Sequence, residues 1–235
     1  MIPQSKSKIF LSEERGHLEL DWFRSYHTFN FGQYRHEHKT PVGPLYLLND
    51  DTLAGKKSVS ITTEEDSDIL LLPVVGTVTW QTSKGHTGEA EAGQCVQLSL
   101  PATATITISN PYEDELVNFL QWWFRSNATV HTAPQLFTFE IQLHKNTLIE
   151  LPAHIGHTSA PKHFIGCFDG RAEIEYRLSD SSNTLFVFVI QGAFEVQYRL
   201  LHPKDGLALW ELEKAELEAL SNEAIILLSE IPVKK

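Results

Sequence analysis

Leu72-Pro73-Val74-Val75-Gly76-Thr77-Val78-Thr79-Trp80 resembles a later stretch of the same chain, Val189-Ile190-Gln191-Gly192-Ala193-Phe194-Glu195-Val196. The likeness continues outward. Ala92-Gly93-Gln94-Cys95-Val96-Gln97-Leu98 matches Asp205-Gly206-Leu207-Ala208-Leu209-Trp210, and Thr105-Ile106-Thr107-Ile108-Ser109-Asn110 matches Glu216 to Asn222. Leu116 to Phe124 then matches Ala224 to Ile231. The anchor pairs Gly76/Gly192, Gly93/Gly206 and Asn110/Asn222 keep a nearly constant separation, with the small drift that loop insertions produce. A repeat of this length means two duplicated domains rather than a solenoid. Each copy is built of short runs of Val, Ile, Leu, Phe, Thr and Tyr, punctuated by Gly, Asn, Asp and Pro, which reads as strands and turns. Such runs include Asp68 to Trp80, Leu136 to Leu143 and Thr184 to Ile190. Glu211 to Leu220 has helical composition, but its register with the first copy makes Ala215 to Leu220 a strand, because tertiary context overrides propensity. The expected division is 1–127 and 128–235, with the joint in the polar stretch Arg125 to Pro134.

The order of strand, Gly, strand, turn, Ala-Gly and two strands resembles a cupin jelly roll, and two copies make a bicupin. The expected class is all-β, with two tandem jelly-roll barrels. Composition agrees with a folded chain of 235 residues: 42 % hydrophobic and 10 % aromatic content argues against disorder. With 19 Lys plus Arg against 30 Asp plus Glu, the net charge of −11 disfavours nucleic acid and anionic membrane as partners. No stretch approaches the length of a membrane span. The N-terminus carries no apolar run of a secretory signal, and 2 Cys form no disulfide framework. The expected location is the cytoplasm. The 11 His are the one chemical suggestion in the composition.

His27-Thr28-Phe29-Asn30-Phe31-Gly32-Gln33-Tyr34, followed by Gly43-Pro44-Leu45-Tyr46-Leu47-Leu48-Asn49-Asp50-Asp51, closely resembles the pirin family. Its members carry a similar H-T-F-S-F-G-x-Y and G-x-L-R-V-I-N-D-D. The resemblance implies a bicupin whose N-terminal barrel holds one divalent metal. Some members are quercetin dioxygenases, and one branch is a nuclear iron-binding coregulator. The family's metal is held by an H-P-H pair and a later H-x-E pair, a donor set suited to Fe(II), Mn or Ni. Counted without gaps from Asn49-Asp50-Asp51, these four positions fall on Thr62, Glu64, Ile106 and Ile108. Only Glu64 has a donor suited to metal. Alternation puts Ile106 and Ile108 on one face, so the change reads as conversion of a site into core. No metal, cofactor or catalytic residue is therefore expected; if any metal binds, it is a divalent ion such as Fe.

The other candidates have bland readings. His36-Glu37-His38 has metal-like spacing but lies in a polar loop. His27 reads as a structural hydrogen-bonding residue, and His86 as a turn residue. His154, His157 and His163 cluster in sequence, before the strands that would carry second-barrel ligands, and read as a surface linker. Cys95 and Cys167 read as small buried hydrophobes. The acidic run Glu64-Glu65-Asp66-Ser67-Asp68 reads as a solvated turn. Trp122 and Trp123 cannot both face one side of a strand; one is core, the other a contact residue. Three functions stay open. The first is a non-catalytic pirin-like protein that binds a small molecule or a protein. The second is a metal-dependent quercetin 2,3-dioxygenase-type oxygenase with atypical ligands, such as Glu64 with His36 or His38. The third is a purely structural or regulatory interaction protein.

Overall fold

The computed structural model describes residues 5–127, 132–151 and 160–233. In chain order the strands are β1 (Lys6–Phe10), β2 (Gly16–Glu19), β3 (Phe23–His27), β4 (Leu45–Leu53), β5 (Ser58–Thr62), β6 (Ser67–Val75) and β7 (Thr77–Thr82). Then follow β8 (Thr87–Glu91), β9 (Gln94–Leu100), β10 (Thr105–Ser109), β11 (Val117–Arg125), β12 (Gln135–Thr138), β13 (Ile149–Leu151) and β14 (Lys162–Phe168). The last are β15 (Glu173–Arg177), β16 (Thr184–Gln191), β17 (Phe194–Val196), β18 (Arg199–Leu201), β19 (Gly206–Trp210), β20 (Lys214–Ala219) and β21 (Ala224–Ile231). A short 3-10 turn at Ser12–Glu14 is the remaining element. Among the described residues no helix is long and apolar enough to cross a membrane.

The strands form two units, each of two sheets. One unit contains residues 15–127 and 132–139, with a seven-stranded sheet β12-β9-β6-β11-β4-β3-β2 facing a four-stranded sheet β5-β10-β7-β8 across a common core. The other contains residues 5–14, 140–151 and 160–233, with a six-stranded sheet β1-β19-β16-β21-β14-β13 and a four-stranded sheet β15-β20-β17-β18. This is the bicupin architecture, and the internal repeat is visible in it. Gly76 and Gly192 turn the chain between β6 and β7 and between β16 and β17, with φ of +77° and +74°. The run Asp68 to Trp80 is therefore two strands. A Cβ on Gly192 would collide with Ser221 and Ala224.

Two expectations change. The division does not fall at 127/128. β1 pairs with β19, Phe10 packs its ring 5.9 Å from Phe186, and Ser12 N–H donates to Asp205 at 2.7 Å. The first strand thus completes the second barrel. At the other boundary, β12 extends the first barrel by pairing with β9. In both places an otherwise exposed sheet edge is covered by a strand distant in sequence. The run Leu136 to Leu143 is strand only in its first part, and residues 141–146 form turns. By contrast, the strand that the repeat demanded over Ala215 to Leu220 forms, shifted by one residue to Lys214–Ala219. Ala215, Leu217 and Ala219 face the core, and the other face carries the exposed Glu216 and the half-buried Glu218.

One buried carboxylate braces the second barrel. Glu230 accepts hydrogen bonds from Tyr176 O–H (2.6 Å), Ser179 N–H (2.9 Å), Ser179 O–H (2.5 Å) and Asn183 Nδ2 (2.6 Å). Burial disfavours its charge, but these donors outweigh burial and hold its pKa below the ordinary glutamate value. Its stabilisation is present above the unfolded-state pKa and is lost as pH falls through the folded one. Glu230→Gln should cost about 1–3 kcal/mol at neutral pH, because an amide N–H2 meets donors. Urea titrations should show the gap from wild type closing as pH is lowered toward 3.

Candidate functional site

The inward side of the first barrel is set by cross-strand pairing. Ile106 lies opposite Ile61 of β5 and Thr82 of β7; Ile108 lies opposite Val59 and Trp80. Ile106 and Ile108 are 0 % and 1 % exposed, and Val59 and Ile61 pack against the same core cluster. Thr62 belongs to the other face. Opposite Thr105, it shares a hydroxyl–hydroxyl hydrogen bond of 2.9 Å with it, and Ser60 and Thr107 repeat the arrangement at 2.8 Å. Glu64 is exposed in the turn after β5. The four counted positions therefore do not converge. Ile106 and Ile108 point inward, Thr62 and Glu64 do not, and the inward partners are Ile61 and Val59. Counting along the chain preserved the order of residues but not which side of the sheet each faces, since an offset of one residue exchanges the faces.

The remaining candidates are dispersed. His36 and His38 are exposed; His38 N–H donates to His36 Nδ1 at 3.1 Å, and His38 Nε2 lies 3.2 Å from Glu37. Among the described residues no group of three or more His, Cys, Asp or Glu assembles as a metal cage, so neither His36 nor His38 joins Glu64 in one. His154 and His157 lie outside the described residues. His163 is not on a surface linker: it is buried on β14, with Nδ1 2.6 Å from Ser229 Oγ. Cys95 and Cys167 are buried free thiols, and burial pushes Cys95 up to about 12, which leaves it no thiolate at neutral pH. Both tryptophans are buried. Trp123 enters the barrel core, while Trp122 stacks with Phe124 on the opposite face at 6.4 Å.

The unexpected chemistry lies on the other wall of the barrel. Phe23, Leu47, Leu53, Val117, Phe119 and Trp123 face its core. By alternation, so do Ser25 and His27 on β3, Asn49 and Asp51 on β4, and Gln121 on β11. Pairing agrees: Asn49 is flanked by His27 and Gln121, and Asp51 by Ser25 and Phe119. All five polar residues are buried. Gln121 Nε2 donates to Asp51 Oδ2 at 2.5 Å, Trp123 Nε1 donates to Gln121 Oε1 at 3.2 Å, and His27 Nε2 lies 2.9 Å from Ser25 Oγ. Burial drives Asp51 up to about 7; hydrogen bonds from Ser25 and Gln121 oppose the shift, and the neighbouring Asp50 adds to it. His27 is pushed down to about 4, by burial first and then by the positive Arg15 and by His17. It is a neutral imidazole at physiological pH. Asp50 faces the opposite side, 3.5 Å from Arg15 and accepting from Asn118 at 2.8 Å. The readable signal was the triplet Asn49-Asp50-Asp51 inside an apolar strand. All three members are polar and alternate in facing, so whichever side of the strand meets the core, at least one polar side chain enters it.

With this geometry in place, the comparisons with known proteins are specific. Residues 162–231 match the quercetinase C-terminal cupin domain family. Over 227 residues the chain is 22 % identical to quercetin 2,3-dioxygenase of Escherichia coli K12, covering 94 % of this chain and 97 % of that one. The crystal structure of YhhW from Escherichia coli superposes with a TM-score of 0.85 at 19 % identity, covering 97 % of this chain and 99 % of that chain. These findings support a pirin-family protein with a bicupin fold. Another structure of the bacterial pirin YhhW, in complex with nickel(II), superposes with a TM-score of 0.84 at 19 % identity, covering 97 % of this chain and all of that one. At these identities the superpositions establish the fold of the pirin barrels and leave the chemistry to this chain's own residues.

Asp51 supplies a test of the polar wall. A carboxyl raised in the folded state binds its proton more tightly there. The chain therefore loses stability as pH rises from the unfolded pKa toward about 7, and the loss persists above that. Asp51→Asn should remove this slope. Relative to wild type it should gain stability at pH 8, on the order of 1–4 kcal/mol, and little at pH 4. Chemical denaturation at the two pH values reads the difference directly; equal effects at both would show that Asp51 titrates normally.

Proposed function

We propose that the chain is a pirin-family bicupin that has lost the family's metal site and works by binding rather than by catalysis. The observation that carries this reading is the packed apolar patch of Val59, Ile61, Ile106 and Ile108 on the inward side of the two strands where the resemblance places the ligands. The residues present do not fit a divalent metal. Two isoleucines offer no donor atom, Thr62 spends its hydroxyl on Thr105, and Glu64 is an exposed single carboxylate. A lone carboxylate in water holds a transition metal weakly, since affinity comes from several convergent donors in a dry site. No redox or Lewis-acid step is assigned to these residues. The binding partner in this reading is a small molecule or a protein; a purely structural or regulatory role is the nearest variant of it.

A second reading is favoured by the names of relatives, among them the quercetin 2,3-dioxygenase of Escherichia coli. In it, a metal is held by Glu64 with His36 or His38, and the chain is an oxygenase. Metal analysis separates the two. Chain purified without chelator should carry iron, manganese, nickel, copper and zinc each far below one per chain, and should consume no oxygen with quercetin. Near-stoichiometric metal that disappears in Glu64→Ala would overturn the metal-free reading. Installing His at Val59, Ile61 and Ile106 together with Glu at Ile108 should create metal binding, whereas His at Thr62 and Glu64 with the same changes at Ile106 and Ile108 should not. Native mass spectrometry of the unmodified chain then distinguishes a retained small molecule from a bound protein.

A further inference from the structure

The wall formed by β3, β4 and β11 carries more hydrogen-bonding capacity than the protein satisfies. Asn49 is 1 % exposed, and neither its Nδ2 nor its Oδ1 has a protein partner. Asp51 is 0 % exposed, with Oδ2 bonded to Gln121 and Oδ1 unpartnered. His27 keeps Nε2 on Ser25 and leaves Nδ1 unpartnered. On the facing sheet, buried Trp80 Nε1 is also unpartnered. Buried polar groups are nearly always paired, so this concentration on one interior surface calls for a guest.

Pairing places the groups as neighbours. Asn49 stands directly between His27 and Gln121 across the sheet, which brings their Cβ atoms to about 5 Å. Asp51 is the next residue on the same face of β4, about 7 Å along the strand. One small molecule beside Asn49 can therefore accept from Nδ2 and donate to Oδ1, or span to His27 Nδ1 or Asp51 Oδ1. The guest must present both donors and acceptors and must be neutral, because the apolar surroundings of Phe23, Leu53 and Phe119 penalise charge. Water meets these conditions, needing two to four polar partners.

We infer that the first barrel encloses an ordered water site on its β3-β4-β11 wall, held by Asn49 together with His27 and Asp51. The site is separate from the strands that the metal comparison concerns, and it holds whether or not the chain binds a metal elsewhere. It completes the hydrogen bonding of a polar cluster that the barrel otherwise leaves half satisfied.

A high-resolution crystal structure of the whole chain tests this. The expected result is a water-sized peak, closed off from bulk solvent, within about 2.6–3.2 Å of an Asn49 side-chain atom. Asn49 turned onto a protein partner with no enclosed density would overturn the inference, and so would continuous density larger than water. Water relaxation dispersion in solution gives a second readout. Asn49→Leu should lower the number of long-lived internal waters by at least one, while Ser60→Ala, on the outward face of β5, should not change it. An unchanged count in Asn49→Leu would likewise overturn the assignment. Should Asn49→Leu not fold, Asn49→Asp keeps acceptors in place and should retain the internal water; its loss there would speak against a water anchored by this side chain.

Discussion

The pairing of Ile106 with Ile61 and of Ile108 with Val59 governs what the first barrel can contain. Strand side chains alternate with a period of two, so this register sends four β-branched apolar side chains inward and a ladder of Ser and Thr hydroxyls outward. The same rule acts on the opposite wall with the reverse outcome. There the register sends Ser25, His27, Asn49, Asp51 and Gln121 into the core. The polarity of the interior is thus divided between its two sheets. The wall where the family resemblance places ligands is apolar, and the wall of its Asn-Asp-Asp triplet is the hydrogen-bonding one.

Two buried carboxylates show how far partners, rather than burial, decide charge. Glu230 and Asp51 are both removed from solvent. Glu230 receives four hydrogen bonds and sits below the ordinary glutamate range, whereas Asp51 is raised to about 7 despite Ser25 and Gln121, with Asp50 adjacent. Glu230 is therefore an anionic brace in the second barrel. Asp51 spends part of its time as a neutral acid in the first, and this suits a cluster with neutral His27 and two amides. The two carboxylates accordingly contribute to stability with opposite dependence on pH.

The likeness to the pirins agrees with the architecture and includes relatives that carry the name quercetin 2,3-dioxygenase. It does not transfer their chemistry, because function depends on the side chains that a site presents. The features that carry the proposal are local: Ile106 and Ile108 buried in the barrel core, an exposed Glu64, and, among the described residues, no assembled group of metal-binding side chains. These favour recognition over oxygen chemistry as the working reading.

The sequence alone determined the all-β class, the duplication and a strand, rather than a helix, over most of Ala215 to Leu220, because turn glycines and repeated apolar runs are local signals that survive in linear order. It also showed that Ile106 and Ile108 share a face, since that follows from spacing within one strand. Only the tertiary structure decided which residues oppose them. Counting along the chain gives Thr62 and Glu64, but the residues that hydrogen-bond register sets opposite Ile106 and Ile108 are Ile61 and Val59. The same is true of β1, whose place beside β19 joins residues far apart in sequence. The polar cluster lay hidden for a related reason. Ser25, His27, Asn49, Asp51 and Gln121 come from three strands, and their meeting is a property of pairing across the sheet, which no single stretch of the chain encodes.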